Sequence, residues 1–128
     1  MTASAEELAR RVCENWDKLT PDDFREIFAG DCVYQNMPIP GVNRGPDAVA
    51  GVLSTLGDGY EIKLRVENLV ATGNLVMVER TESFTKQDGS GSFELPATGV
   101  FEVANGKITA WRDYFHFDPK QWEMEEGR

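Results

Sequence analysis

The spacing of apolar and polar positions changes period near Tyr60, and that change separates a helical first half from a stranded second half. The segment "SAEELARRVCENWDKL" opens with Ser4 and carries Glu7 three residues on, a capping box in which each side chain satisfies the other residue's backbone N–H. Leu8, Val12, Trp16 and Leu19 follow at helical intervals and predict an amphipathic helix. A shorter helix is expected over "TPDDFREIF": Thr20 can cap it, Pro21 suits the first helical position, and Phe24, Ile27 and Phe28 make its apolar stripe. After "CVYQNMPIPG", an extended piece stopped by prolines, "PDAVAGVLSTL" predicts a third helix with Val49, Val52, Leu53 and Leu56 inward.

From Tyr60 the pattern is that of strands. "YEIKLRVENLVA", "LVMVERTESFT", "SFELPATGVFEV" and "KITAWRDYFHF" are joined across Thr72–Gly73–Asn74, "KQDGSG" and Asn105–Gly106. An Asn-Gly pair between alternating segments signals a tight hairpin, because both turn residues must accept positive φ. Helices followed by an antiparallel meander predict an α+β fold, a curved sheet with N-terminal helices wrapped over one face. A chain of 128 residues is expected to make one domain, residues 1–128.

Alternation also puts charges in unexpected company. In "LVMVERTESF", Val76, Val78 and Phe84 share a strand face with Arg80 and Glu82. Two readings follow: an exposed salt pair near a strand end, worth about 0–1 kcal/mol, or a pair pointing into the wrapped interior. Burying such a pair is costly and seldom justified by stability alone. In "AWRDYFHFD", Asp113 shares a face with Trp111, Phe115 and Phe117, although an exposed strand acid is the plainer reading. Tyr34 and Asn36 of "VYQNMP" lie two apart on one face, where a core tyrosine and a turn-completing asparagine would also fit.

Composition narrows the chemistry. A formal charge of −9 disfavours nucleic acid and anionic membranes as partners, since both need clustered Lys and Arg. No apolar run approaches the roughly 18 residues of a membrane span, and Glu6 and Glu7 precede any apolar segment, unlike a secretory signal; a cytoplasmic location is expected. Cys13, Cys32 and the single His116 make no zinc-ligand spacing, and no G-x-S-x-G turn, GxGxxG or phosphate loop is present. Neither a metal nor an organic cofactor is expected.

If Tyr34, Asn36, Arg80, Glu82 and Asp113 converge, they offer two carboxyl groups, a guanidinium between them and a neutral hydrogen-bonding pair among apolar walls. Such a set suits a reaction in which one carboxylate activates water while the other, protonated, donates to a leaving oxygen. The protonated acid needs a raised pKa, from desolvation and from its negative neighbour.

At these residues the chain resembles the limonene-1,2-epoxide hydrolase family, within the wider group of nuclear-transport-factor-2-like and SnoaL-like cone folds. The blocks "VYQNMPIPG", "ERTE" and "GVFEVANGKITAWRDYF" carry the resemblance. It implies a cone of curved mixed sheet closed by helices, a deep apolar pocket, a homodimer, and hydrolysis of a small apolar epoxide by water to a vicinal diol in one step without a cofactor. Asp113 would then be the general base, Tyr34 and Asn36 its fellow water ligands, and Arg80 the bridging arginine. Glu82 falls where the family has an aspartic acid as general acid, and displacements on the order of 1 Å can cost roughly 100-fold in rate. The resemblance also implies a pocket lined by Trp16, Leu19, Leu56, Leu95, Ala97, Trp111 and Phe115, suited to a cyclic or aryl epoxide. Two other classes remain: another enzyme on the same cone, ketosteroid-isomerase-like or dehydratase-like, and a non-catalytic small-molecule-binding module. Only the last is indifferent to Asp113→Asn.

Overall fold

A computed structural model describes residues 3–118 of the chain. The first helix, α1 (Ala5–Asn15), starts on the predicted capping box: Ser4 Oγ accepts from the Glu7 N–H at 3.1 Å and Glu7 Oε1 from the Ser4 N–H at 3.0 Å. It ends sooner than its apolar stripe predicts. Trp16–Lys18 tighten into a 3₁₀ turn and Leu19 is extended, so Trp16 stays in the core while Leu19 leaves the helix axis. The second helix, α2 (Pro21–Ile27), carries a second capping box, Thr20 with Asp23. Phe28, expected on its stripe, instead opens β1 (Phe28–Asn36), where it is buried as a strand residue.

A short β2 (Asn43–Arg44) precedes α3 (Pro46–Gly57), and four long strands complete the chain: β3 (Tyr60–Thr72), β4 (Leu75–Lys86), β5 (Ser92–Ala104) and β6 (Lys107–Phe115). The β5–β6 hairpin turns where the sequence predicts, with φ of 53° at Asn105 and 75° at Gly106. The six strands lie in the order β2-β1-β6-β5-β4-β3. The meander of β3 to β6 is antiparallel throughout, whereas β1 pairs parallel with β6 and makes the curved sheet mixed. That parallel pairing sets Tyr34 beside Trp111 and Asn36 beside Asp113. Residues far apart in sequence thus become lateral neighbours.

The helices cover one face of the sheet. Val12, Cys13 and Trp16 of the first helical segment, Phe24 and Ile27 of α2, and Val49 and Leu53 of α3 pack on Val76, Val78, Phe84, Phe101 and Trp111 of the strands. Along β4 burial alternates strictly from Leu75 to Phe84, even positions buried and odd positions not. Among the described residues no helix is long and apolar enough to cross a membrane.

This alternation predicts unequal costs on one strand. Val78→Ala, at a fully buried position, is expected to lower the unfolding free energy by about 2 kcal/mol, and Thr85→Ala, at an exposed one, by less than about 1 kcal/mol. Urea unfolding of both variants checks the assignment of faces.

Candidate active site

Arg80, Glu82 and Asp113 are the charged residues buried among those described, 2%, 5% and 4% exposed. The first two face inward because β4 keeps its alternation beyond Val78, and Asp113 follows Trp111 on the inward face of β6. Arg80 bridges the two acids. Its Nη1 donates to Asp113 Oδ1 at 3.1 Å, its Nη2 to Oδ2 at 2.5 Å, and its Nε to Glu82 Oε2 at 2.9 Å. The fork–fork geometry on Asp113 is the stronger kind of ion pair, whereas Glu82 receives one guanidinium N–H.

Two tryptophans complete the bonding. Trp111 Nε1 donates to Asp113 Oδ1 at 2.6 Å, so three N–H donors converge on that carboxylate. Trp16 Nε1 donates to Glu82 Oε2 at 3.0 Å. The Trp111 indole is itself fixed between aromatic faces, stacked on Tyr34 at 4.3 Å and on Phe101 at 5.2 Å between ring centroids. Gly99, opposite Asp113 on β5, leaves the space this cluster occupies: a Cβ there would stand 2.8 Å from Asp113 Oδ1 and 3.2 Å from Arg80 Nη1. Neither the tryptophan donors nor Gly99 was singled out for such a role from the sequence. The outward signals were a tryptophan two residues before the acid and a glycine inside a strand, where a close approach of another group is one of the standard causes.

One guanidinium faces two carboxyl groups, so the cluster is neutral only if one acid holds a proton. Asp113 accepts three N–H groups spread over both of its oxygens, whereas Glu82 accepts its two on Oε2 alone. Burial raises the Glu82 carboxyl above its ordinary pKa of 4.5; Arg80 pulls it down, and the negative Asp113 pushes it up again. Burial works to lower the pKa of Arg80, but Asp113 and Glu82 outweigh it and hold the guanidinium firmly charged. The Tyr34 phenol is pushed upward by burial and by Asp113, which keeps it a neutral hydroxyl. Its O–H donates to Asn36 Oδ1 at 3.2 Å, leaving the Asn36 amide N–H groups for another acceptor.

These groups border a cavity of about 470 Å³. Tyr34, Asn36, Glu82 and Asp113 form its polar part; Val52, Leu53, Leu56, Phe84, Leu95, Phe115 and Phe117 form its apolar walls, and residues 39–43 of the β1–β2 loop close one side. All five residues singled out for chemistry are therefore together, four on the cavity and Arg80 joining the two acids behind it. Of the seven expected lining residues, Leu56, Leu95 and Phe115 border the cavity. The other four need correction. Trp16 and Leu19, in and after the 3₁₀ turn, border a larger groove of about 930 Å³ that shares Leu53 with the cavity. Trp111 lies beneath Tyr34 as part of the aromatic stack, and Ala97, paired with Arg80 and Phe115 in the sheet, is buried away from the opening. Among the described residues no group of three His, Cys, Asp or Glu side chains is disposed to hold a metal ion.

The raised pKa of Glu82 predicts a stability signature. A carboxyl that binds its proton more tightly folded than unfolded stabilises the fold fully below about pH 4.5 and loses that contribution as pH rises through the raised value. Glu82→Gln, which mimics the protonated acid, should match wild type in Tm at low pH. At pH 8 it should melt at a higher temperature than wild type, because wild type has by then lost part of that contribution. Calorimetry of both proteins across this range makes the comparison.

Comparison with known proteins accords with this geometry. A profile described as the limonene-1,2-epoxide hydrolase catalytic domain matches residues 9–121. The epoxide hydrolase EphG of Mycobacterium tuberculosis (strain ATCC 25618 / H37Rv) is 32% identical over 100 residues, covering 76% of this chain and 65% of the relative, just under two thirds of its length. The structure of an LEH-like epoxide hydrolase from M. tuberculosis superposes with a TM-score of 0.67 at 28% identity, covering 96% of this chain and 85% of that one. A protein of ketosteroid isomerase-like fold from Catenulispora acidiphila DSM 44928, solved with trimethylamine, shares the fold at a TM-score of 0.75 and 18% identity, covering 87% of this chain and 86% of that one. The match over most of its length, together with the shared fold, makes this chain a member of the limonene-1,2-epoxide hydrolase family.

Proposed function

We propose that this protein is a cofactor-independent epoxide hydrolase that adds water to a small cyclic or otherwise apolar epoxide in one general acid/base step, giving a vicinal diol. The observation that carries the reading is the Asp113–Arg80–Glu82 array, two carboxyl groups in unlike hydrogen-bond settings tied to one guanidinium at the edge of an apolar cavity. In the proposed step Asp113 takes a proton from a water that Tyr34 and Asn36 also hold. The oxygen attacks an epoxide carbon, the C–O bond breaks, and Glu82 protonates the departing oxygen.

The charge accounting favours this step. Before it the cluster is carboxylate, guanidinium and carboxylic acid; after it the two acids have exchanged states and the sum is unchanged. Arg80 contacts both acids and so stabilises whichever is ionised, without moving. A proton passed from Asp113 back to Glu82 restores the start. No covalent bond to the protein is required.

A cavity of about 470 Å³ with phenylalanine and leucine walls accepts a ring of six to ten carbons and offers a polar head group few partners. A homodimer is part of the proposal, formed on the outer sheet face where Val70, Met77 and Tyr114 are exposed. The ketosteroid-isomerase-like alternative draws support from fold alone, and a non-catalytic binding module leaves the buried ion cluster without a purpose.

The test is turnover of limonene oxide and cyclohexene oxide with no added metal or cofactor, diol being separated by chiral chromatography. Wild type is expected to form diol, with unequal enantiomers from cyclohexene oxide, and Asp113→Asn to lose at least roughly several hundredfold in rate, as removal of a general base does. Retained turnover in Asp113→Asn contradicts the assignment of the base.

A further inference from the structure

Glu82 Oε2 has two donors, and both are fixed. Arg80 Nε reaches it at 2.9 Å and Trp16 Nε1 at 3.0 Å. Neither partner can accept a proton, so a hydrogen on Oε2 would face an N–H. Among the described residues no side chain donates to Oε1, while Glu82 itself borders the cavity that holds Tyr34, Asn36 and Asp113.

We propose that Trp16 is a positioning residue for the acid: with Arg80 Nε, its indole N–H fills Oε2 of Glu82 and confines the acidic proton to Oε1, on the cavity side. This deepens the hydrolase reading and rests on it. A glutamic acid needs such a device more than a shorter acid would, since it has one more side-chain torsion through which the carboxyl can turn away. Without the indole, one donor on Oε2 leaves the carboxyl free to rotate about its terminal bond and to carry its proton on either oxygen.

The indole is built to hold that place. The 3₁₀ turn after α1 aims it at β4, it is only 4% exposed, and its ring lies 6.4 Å from that of Phe84. Gly57 at the end of α3 lies beside it: a Cβ there would be in ordinary contact with Trp16 Cζ3 at 3.6 Å and would crowd Ile62 Cδ1 at 2.9 Å. Trp16 also borders the outer groove with Leu19, Phe24 and Ile62, and it donates to the acid from there. The other titratable groups around Glu82 leave the tryptophan's role distinct. Asp113 and Arg80 are its cluster partners, the buried Cys13 thiol of α1 is pushed up to about 12 by desolvation, and Tyr34 of β1 is a neutral phenol.

The test compares wild type with Trp16→Phe, which keeps an aromatic ring and loses the N–H. With cyclohexene oxide, kcat is expected to fall about 10- to 100-fold with KM within about threefold, the cost of a misdirected catalytic group rather than a lost binding contact. Because the indole N–H favours the ionised carboxyl, its removal should also move the alkaline limb of the kcat profile to higher pH. An unchanged kcat, or a fall with the limb unmoved, overturns the proposal, since a merely structural tryptophan would lower the active fraction at every pH alike.

A second reading does not depend on turnover. The ¹⁵N–¹H indole resonance of Trp16 should titrate with pH in wild type and cease to do so in Glu82→Gln; an indole indifferent to that change overturns the proposal. If wild type makes no diol, the hydrolase reading fails on that result and the resonance still decides whether Trp16 holds Glu82. Should Trp16→Phe not fold, benzothienylalanine at the same position keeps the bicyclic shape with sulfur in place of N–H, and the same outcomes apply.

Discussion

A single guanidinium held between two carboxyl groups, in an otherwise aliphatic and aromatic core, is the constraint on which the rest of the structure depends. Removing charge from water is expensive, and a lone cation with two anions would leave a net negative charge in the interior. Neutrality requires one acid to be protonated. The hydrogen bonds are asymmetric: three N–H groups converge on Asp113, while Glu82 receives its two on one oxygen. The arrangement that makes the core tolerable is therefore also the one that the proposed reaction would draw on for its base and its acid.

The sheet supplies the precision. Asp113 is the lateral neighbour of Asn36 on one side and of Gly99 on the other, so its carboxylate sits beside the amide and over a strand position with no side chain to obstruct it. Arg80 is two residues along β4 from Glu82, which lets one guanidinium reach its own strand neighbour and an acid two strands away. Trp111 adds a donor from the same strand as the acid it serves, locked by Tyr34 and Phe101. Groups carried on strands and stacked rings are better fixed than groups on loops, and preorganised dipoles cost nothing to reorient during reaction.

Much of this was legible in the chain, for reasons that differ by element. The period of two in β4 survives because that strand is buried on one face from Val76 to Phe84, and strict alternation makes Arg80 and Glu82 readable as inward despite their charge. The Asn105–Gly106 turn and both capping boxes were readable because their determinants are local. The parallel β1–β6 pairing was not, since nothing within β1 names its partner; it decides that Tyr34 and Asn36 join Asp113, a convergence that the sequence posed only as a condition. Trp16 and Leu19 were misplaced for a different reason: continuous helical spacing carried the helix through a 3₁₀ turn that ends it at Asn15. The roles of Gly99 and of the two tryptophans as donors were not read from the sequence, because they lie in contacts across strands and between a helical segment and the sheet.

The central claim of the proposed function is that the resting cluster holds one proton and that this proton is on Glu82, the acid whose pKa is raised. Infrared difference spectroscopy of wild type, Glu82→Gln and Asp113→Asn measures this directly, without substrate. The account predicts a protonated-carboxyl C=O band in wild type that vanishes in Glu82→Gln and is not the band lost in Asp113→Asn. A band that vanishes with Asp113 instead, or no such band in wild type, would contradict it.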